Sequence, residues 1–197
     1  MAGYVLAAAL LGFSIFRLRR RDWVALLPRL GGVAGMMLLA MSIPLGFLPY
    51  HLNLTVLAGV ALGPWAGSLA AFCVCLLLSL VGHGGVTVVG LNTLVLAGEA
   101  ILGWTLYRLA RLWLRPALAA GLATAATLAA SLAVEMGFLA LALGGTGFEL
   151  GRFLPLALPF LVAGIAVEAG VVGALAGFVA AVRPDLLEGH IPARGAP

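Results

Sequence analysis

Charge is what this sequence has least of. It contains no lysine, and Asp, Glu and Arg together make up only 9% of its 197 residues. A soluble globular domain carries about 25% charged residues, so a chain that is 63% hydrophobic with a mean hydropathy of +1.18 falls outside that class. The sequence reads as an all-α integral membrane protein. Its length admits roughly six to eight spans of about 20 residues each and leaves no room for a separate soluble domain. Motifs are missing too. Without a Walker A sequence the chain does not hydrolyse nucleotide by itself, and the lack of a Gly-x-Ser-x-Gly elbow or a His-Glu-x-x-His pair speaks against an intramembrane hydrolase. Cysteine is nearly absent. Cys73 and Cys75 lie two residues apart on one helical run, point in different directions and cannot form a standard disulfide, so they read as packing residues.

The net charge of +4 comes entirely from eleven arginines against seven acids. In a membrane protein their placement matters more than their sum, and we read them as topology rather than as a nucleic-acid site. A first apolar run, 2–16, has no basic segment before it and stops at Arg17, Arg19, Arg20 and Arg21. That order fits a transmembrane helix better than a signal peptide. A second span starts near Trp23 or Leu30 and breaks between Pro44 and Pro49. An unusually short third segment, 53–62, stops at Gly63-Pro64-Trp65 and is followed by a span over 66–81. A half-length segment at a Gly-Pro break points to a binding site in transporters. Further spans cover 86–106, 116–143 and 154–182. The result is a single transmembrane domain, 1–187, with a short tail, 188–197. Seven spans starting outside leave only Arg152 of the eleven arginines on the outer side, with the N-terminus outside and the C-terminus cytoplasmic.

Polar chemistry is concentrated in a few places. Gly82-His83-Gly84-Gly85-Val86-Thr87 runs on through Gly90-Leu91-Asn92-Thr93 between two apolar stretches. Its glycines allow positive φ or close backbone approach, and its histidine can bind a metal or change charge near neutral pH. The stretch is equally readable as a glycine turn with a solvated histidine. On the predicted topology His51 and His83 share the outer face, while His190 lies in the cytoplasmic tail. His51 reads either as an interfacial residue beside Tyr50 or as a metal ligand. Glu99, Glu135 and Glu168 fall inside spans, where a carboxylate costs roughly 2.5 to 3.5 kcal/mol. Such groups face a bundle interior. Helix ends or hydroxyls such as Thr124, Thr127 and Ser131 can satisfy them; otherwise they form a buried carboxylate network under a ligand pocket. The 173–177 and 166–170 spacings of small residues permit close helix packing.

Taken together, Leu62-Gly63-Pro64-Trp65-Ala66, Gly82 to Thr87 and Gly90 to Thr93 resemble the CbiM/NikM family, the cobalt- and nickel-specific membrane components of energy-coupling-factor transporters. Gly164 to Glu168 and Val182-Arg183-Pro184-Asp185-Leu186-Leu187 resemble that family's last-span and closing motifs, so the likeness runs from Ala2 to Leu187. It implies a seven-helix substrate-capture subunit of the cell inner (plasma) membrane. The implied partners are a membrane transmitter subunit, ATP-binding cassette ATPases and, as a further candidate, a small accessory membrane subunit. No resident cofactor is implied; Co²⁺ or Ni²⁺ is the cargo. The family holds its metal through the N-terminal amine, through amide and imidazole nitrogens of a histidine after the initial Met, and through a loop histidine that matches His51. A four-nitrogen tetragonal set suits Ni²⁺.

Two departures accompany the likeness. The family opens Met-His-Ile-Pro, whereas this chain opens Met1-Ala2-Gly3-Tyr4, so three of the family's four ligand atoms have no counterpart here; an in-frame Met-His-Ile-Pro upstream would mean that the start is placed too late. Met41-Ser42-Ile43-Pro44 imitates that signature with Ser42 where the histidine would stand. In the last span, a histidine common in the family is replaced near Pro159 or Phe160. The first expectation is therefore metal capture with His51 as principal ligand and His83 secondary or shaping the site behind it, in a pocket formed with Ser42, Thr87, Asn92 and Thr93. Neutral imidazole binds metal, so capture should weaken as acid protonates it. A second expectation is a same-fold component that takes another small solute through Glu99, Glu135, Glu168 and Asn92. A third, from a different class, is an intramembrane enzyme using Ser68 or a glutamate with His51.

Overall fold

The computed structural model describes residues 2–43, 51–82, 85–143 and 150–187. Within them lie seven α-helices: α1 (Ala2–Leu18), α2 (Trp23–Ser42), α3 (Thr55–Leu62), α4 (Pro64–Leu80), α5 (Val89–Ala110), α6 (Pro116–Leu143) and α7 (Leu150–Val182). Two short 3-10 turns, Val86–Val88 and Pro184–Leu186, precede α5 and follow α7. Four of the helices are long and apolar enough to cross a membrane: α2, α5 with its leading turn, α6 and α7. With 17 residues each, α1 and α4 rise about 25 Å. The predicted spans match these helices to within a few residues. The Pro44 to Pro49 break, the Gly144 to Gly147 loop and the tail 188–197 lie outside the described residues.

Local chemistry sets the boundaries. Asp22 starts α2, its side chain accepting the N–H of Val24 at 3.0 Å, as an N-cap carboxylate does. Proline occupies the first position of α4 after Gly63, whose φ of +83° an L side chain rarely adopts. Its missing N–H costs nothing there. Pro28 in α2 and Pro155 and Pro159 in α7 fall inside helices, which neighbouring helices make tolerable in an apolar bundle. In the Gly82 to Thr93 stretch both expected uses of glycine occur. Gly82 and Gly85 take positive φ, and a Cβ on Gly90 would lie 2.8 Å from the Tyr4 backbone nitrogen. The Tyr4 hydroxyl also donates to the Val86 carbonyl, fixing the start of α1 against the turn before α5.

The bundle is built around its shortest helix. With eight residues, α3 rises about 12 Å, less than half of a bilayer core of roughly 30 Å. All of its residues but Ala61 are buried, and it packs against α2, α4, α5, α6 and α7. Apolar on every face, it is a core helix rather than a surface one. Its approach to α5 is backbone to backbone: a Cβ on Gly59 would meet the Ala100 carbonyl oxygen at 2.2 Å. The α6–α7 pair uses Gly173 and Gly177, whose added Cβ atoms would come within 2.9 Å of Ala117. Gly170 faces open space, so of the two small-residue spacings the 173–177 one makes the helix contact.

Beyond the last span, Arg183 grips Asp185 in a two-pronged pair, with Nε to Oδ1 at 2.9 Å and Nη2 to Oδ2 at 2.8 Å. The guanidinium's hydrogen bonds lower the Asp185 carboxyl to about 2. Because the folded value lies below the ordinary one, this pair should be complete at neutral pH and lost only as pH falls through about 2, which a carboxyl-carbon NMR titration of Asp185 reads directly. For the core, Gly59→Ala should destabilise the protein by about 2 kcal/mol through overpacking, seen as a lower melting temperature in detergent.

Candidate functional site

Four chain positions just before α3 form the entrance to the bundle interior. His51, Leu52 and Asn53 are half-buried and Leu54 is buried. Leu54 has a φ of +55°, the only positive φ of a non-glycine residue among those described. A leucine in the left-handed region is strained, and such strain persists only where the surroundings enforce it. Here the enforcing group is a carboxyl from α7. Glu168 is fully buried, and its Oε1 accepts the Leu54 N–H at 2.9 Å while its Oε2 accepts the Asn53 N–H at 3.2 Å. Helix starts present unsatisfied N–H groups and the positive end of a dipole, so Glu168 performs across the bundle the task of a local N-cap.

Asn53 links this cap to a second carboxyl. Its Oδ1 accepts the Thr55 N–H at 2.8 Å, an Asx-type turn. Its Nδ2 donates to Oε2 of the buried Glu99 on α5 at 2.9 Å. The other Glu99 oxygen accepts from Ser131 Oγ on α6 at 2.6 Å. Helix ends and hydroxyls thus satisfy the two carboxyls, as the sequence allowed. Ser131 is the hydroxyl used, whereas Thr124 donates to the Ala120 carbonyl of its own helix. His51, Asn53, Glu99, Ser131 and Glu135 line a cavity of about 120 Å³ between α5, α6 and α7.

The remaining candidates are dispersed. Glu135 is exposed, which corrects the expectation of three buried carboxylates. The buried face of α6 ends at Leu128, two turns earlier, so Glu135 sits where the helix has left the packed core. Glu135 also lines a neighbouring cavity of about 470 Å³ with Asn92, Cys75 and Met41. Asn92 therefore adjoins the His51 cavity through Glu135 rather than lining it. Thr93 is buried beside Cys75. Ser42 is exposed and donates to the Leu38 carbonyl of its own helix at 2.7 Å, and Thr87 is exposed in the turn before α5. His83 lies outside the described residues. Among the described residues no three His, Cys, Asp or Glu side chains form a group that could hold a metal ion. Ser68, the nucleophile of the enzyme expectation, is buried and donates to the Pro64 carbonyl of its own helix.

Sequence reading missed Asn53. Its signal was present, since an Asx residue two positions before a Thr-led helical run commonly forms such a turn.

Comparisons with known proteins bear on the whole chain. Residues 1–186 match the family CbiM, described as "Cobalt uptake substrate-specific transmembrane region". The chain is 31% identical over 198 aligned positions to a protein of Archaeoglobus fulgidus named, by inference, as a fused nickel transport protein, NikMN; the alignment covers 94% of this chain. It spans 63% of that relative's length. Its fold also superposes with a TM-score of 0.75 on a crystal structure of a transition metal transporter, at 19% identity, covering 94% of this chain and 87% of the other.

The links through Asn53 should be energetically coupled. In a double-mutant cycle of Asn53→Ala and Glu99→Gln, melting temperatures should reveal a coupling of about 1 kcal/mol; additive effects would show that the hydrogen bond contributes nothing.

Proposed function

Because the chain belongs to the CbiM family of cobalt-uptake substrate-specific transmembrane regions, a family of transport components rather than enzymes, we propose that it captures Co²⁺ or Ni²⁺ as the membrane component of an energy-coupling-factor transporter. In this reading the cargo arrives from the outer face, the N-terminus lies outside and the C-terminus inside. A membrane transmitter subunit and ATP-binding cassette ATPases, with a small accessory membrane subunit in some assemblies, drive import across the plasma membrane. The orientation follows from the arginines gathered where α1 and α5 end, by the positive-inside tendency.

The observation that carries the reading is the position of His51. It stands two residues ahead of the Asn53–Glu99 and Asn53–Glu168 links, at a polar cavity beside a half-helix start, the setting in which transporters place their cargo sites. Its imidazole is a suitable donor for either ion. The carboxyls then have a separable task. Glu168 and Glu99 hold the backbone and side chain of Asn53, which fixes the loop that presents the imidazole, and Glu135 contributes an oxygen at the cavity rim.

A second reading is favoured by the absence of a three-residue ligand group among the described residues. In it the same fold takes a different small polar solute through Asn53, Ser131 and the glutamates. Calorimetry with Ni²⁺ and Co²⁺ on the purified protein separates the two. Under the metal reading, wild type binds one of the ions, His51→Ala lowers affinity at least about a hundredfold as expected for losing a principal ligand, and His83→Ala has a smaller effect. Equal binding by wild type and His51→Ala would overturn it.

A further inference from the structure

A second cavity lies away from His51, at the other end of α3. Its volume is about 630 Å³, and Arg17, Arg19, Arg20, Arg21 and Arg108 all line it. Among the described residues, no acidic side chain lines it. The metal-capture reading uses these arginines only as a topological signal, yet their arrangement is concave. Arg17 comes from the last turn of α1, Arg19 to Arg21 from the α1–α2 connection and Arg108 from the last turn of α5, and the wall between them is the Gly63-Pro64-Trp65 start of α4.

Three features make this cavity suited to an anion. Aromatic faces hold three of the guanidinium groups: Arg17 lies 5.7 Å from the Trp65 ring centroid, Arg19 4.1 Å from that of Phe16 and Arg108 5.0 Å from that of Trp104. Such stacking orients a guanidinium while leaving its N–H edge for an acceptor. The α4 N-terminus, with no side-chain cap, contributes its positive dipole end to the same wall. The indole N–H of Trp104 is buried with no hydrogen-bond partner among the described residues, and Trp104 lines the cavity. The guanidinium groups of Arg17, Arg19, Arg20 and Arg108, converging on one cavity, are chemistry for phosphate rather than for a cationic ligand.

The position of the cavity identifies the source of the phosphate. The arginines sit where α1 and α5 end and α2 begins, and basic residues at span ends gather beside lipid headgroups. Phe16, Trp65 and Trp104 supply the apolar and aromatic surface that sits beside acyl chains at that level. We propose that this cavity binds the phosphate headgroup of an anionic phospholipid, seated between α1, α4 and α5 against the start of α4. Basic pockets between spans commonly hold such headgroups. A lipid there would tie the α1–α2 connection to the α3–α4 break, and so to the far end of the helix whose start carries the His51 loop.

The test is lipid binding, which does not depend on metal capture. Protein purified in detergent is analysed by native mass spectrometry and thermal melting with phosphatidylglycerol, phosphatidylcholine or inorganic phosphate alone. Phosphatidylglycerol should be retained and raise the melting temperature, phosphatidylcholine should do neither, and inorganic phosphate should compete only weakly. Each interfacial arginine contributes about 1 kcal/mol toward anionic lipid, so Arg20→Gln with Arg108→Gln should weaken phosphatidylglycerol binding roughly thirtyfold. The Arg→Lys pair should recover most of the binding, which separates loss of charge from misfolding. Equal retention of the two lipids, or unchanged phosphatidylglycerol affinity in a folded Arg→Gln pair, would overturn the proposal. Saturation by inorganic phosphate with exclusion of lipid would overturn the lipid as occupant. Binding of neither would leave the arginines to acidic groups of a partner protein and overturn it as well.

Discussion

The structure depends on one buried carboxyl. Glu168, fully enclosed on α7, takes the N–H groups of Asn53 and Leu54 and so holds the start of a helix whose N-cap residue, Leu54, makes no side-chain cap bond. Satisfying those groups internally is obligatory in an apolar bundle, where water cannot. Once they are held, Leu54 can occupy the left-handed region, α3 can begin inside the bundle, and its eight residues need reach only as far as Gly63. The half-length of α3 and the burial of Glu168 are two sides of the same constraint.

Around this point the molecule divides into two chemical ends. The start of α3 gathers carboxyls, an amide, a hydroxyl and an imidazole from the 51–54 segment, α5, α6 and α7. Its finish, at Gly63-Pro64, shares a cavity with five arginines. A short helix thus links an electron-rich cavity to an electropositive one. Close backbone contact at Gly59 fixes it laterally against α5. Movement of α3 along its axis would disturb both ends together.

Much of this was legible from sequence. Apolar run lengths, arginine stops and Gly-Pro breaks located all seven helices, and the abnormal shortness of the third segment marked the place where the polar groups converge. Membrane burial makes such signals strong, because a polar residue in an apolar run requires a partner. What sequence could not supply was the identity of the partners. Glu99, Glu135 and Glu168 look alike in the chain, each a lone carboxyl in an apolar helix. Only packing shows that α6 leaves the core before Glu135, while α5 and α7 aim Glu99 and Glu168 at the same asparagine. Asn53 was hidden for a related reason: its role rests on contacts 46 and 115 residues away. Asn92 and His51, expected in one pocket, line adjoining cavities instead.

The central claim is that the Glu168 cap positions the His51 loop for metal capture. It is tested most directly by the Ni²⁺ and Co²⁺ dissociation constants of Glu168→Gln, measured by calorimetry on protein whose helical circular dichroism matches wild type. The substitution keeps the shape of the side chain but replaces one of the two accepting oxygens with an NH₂ group that cannot accept a backbone N–H, so the account predicts affinity lowered about tenfold or more. A folded Glu168→Gln protein that binds metal as tightly as wild type would contradict it.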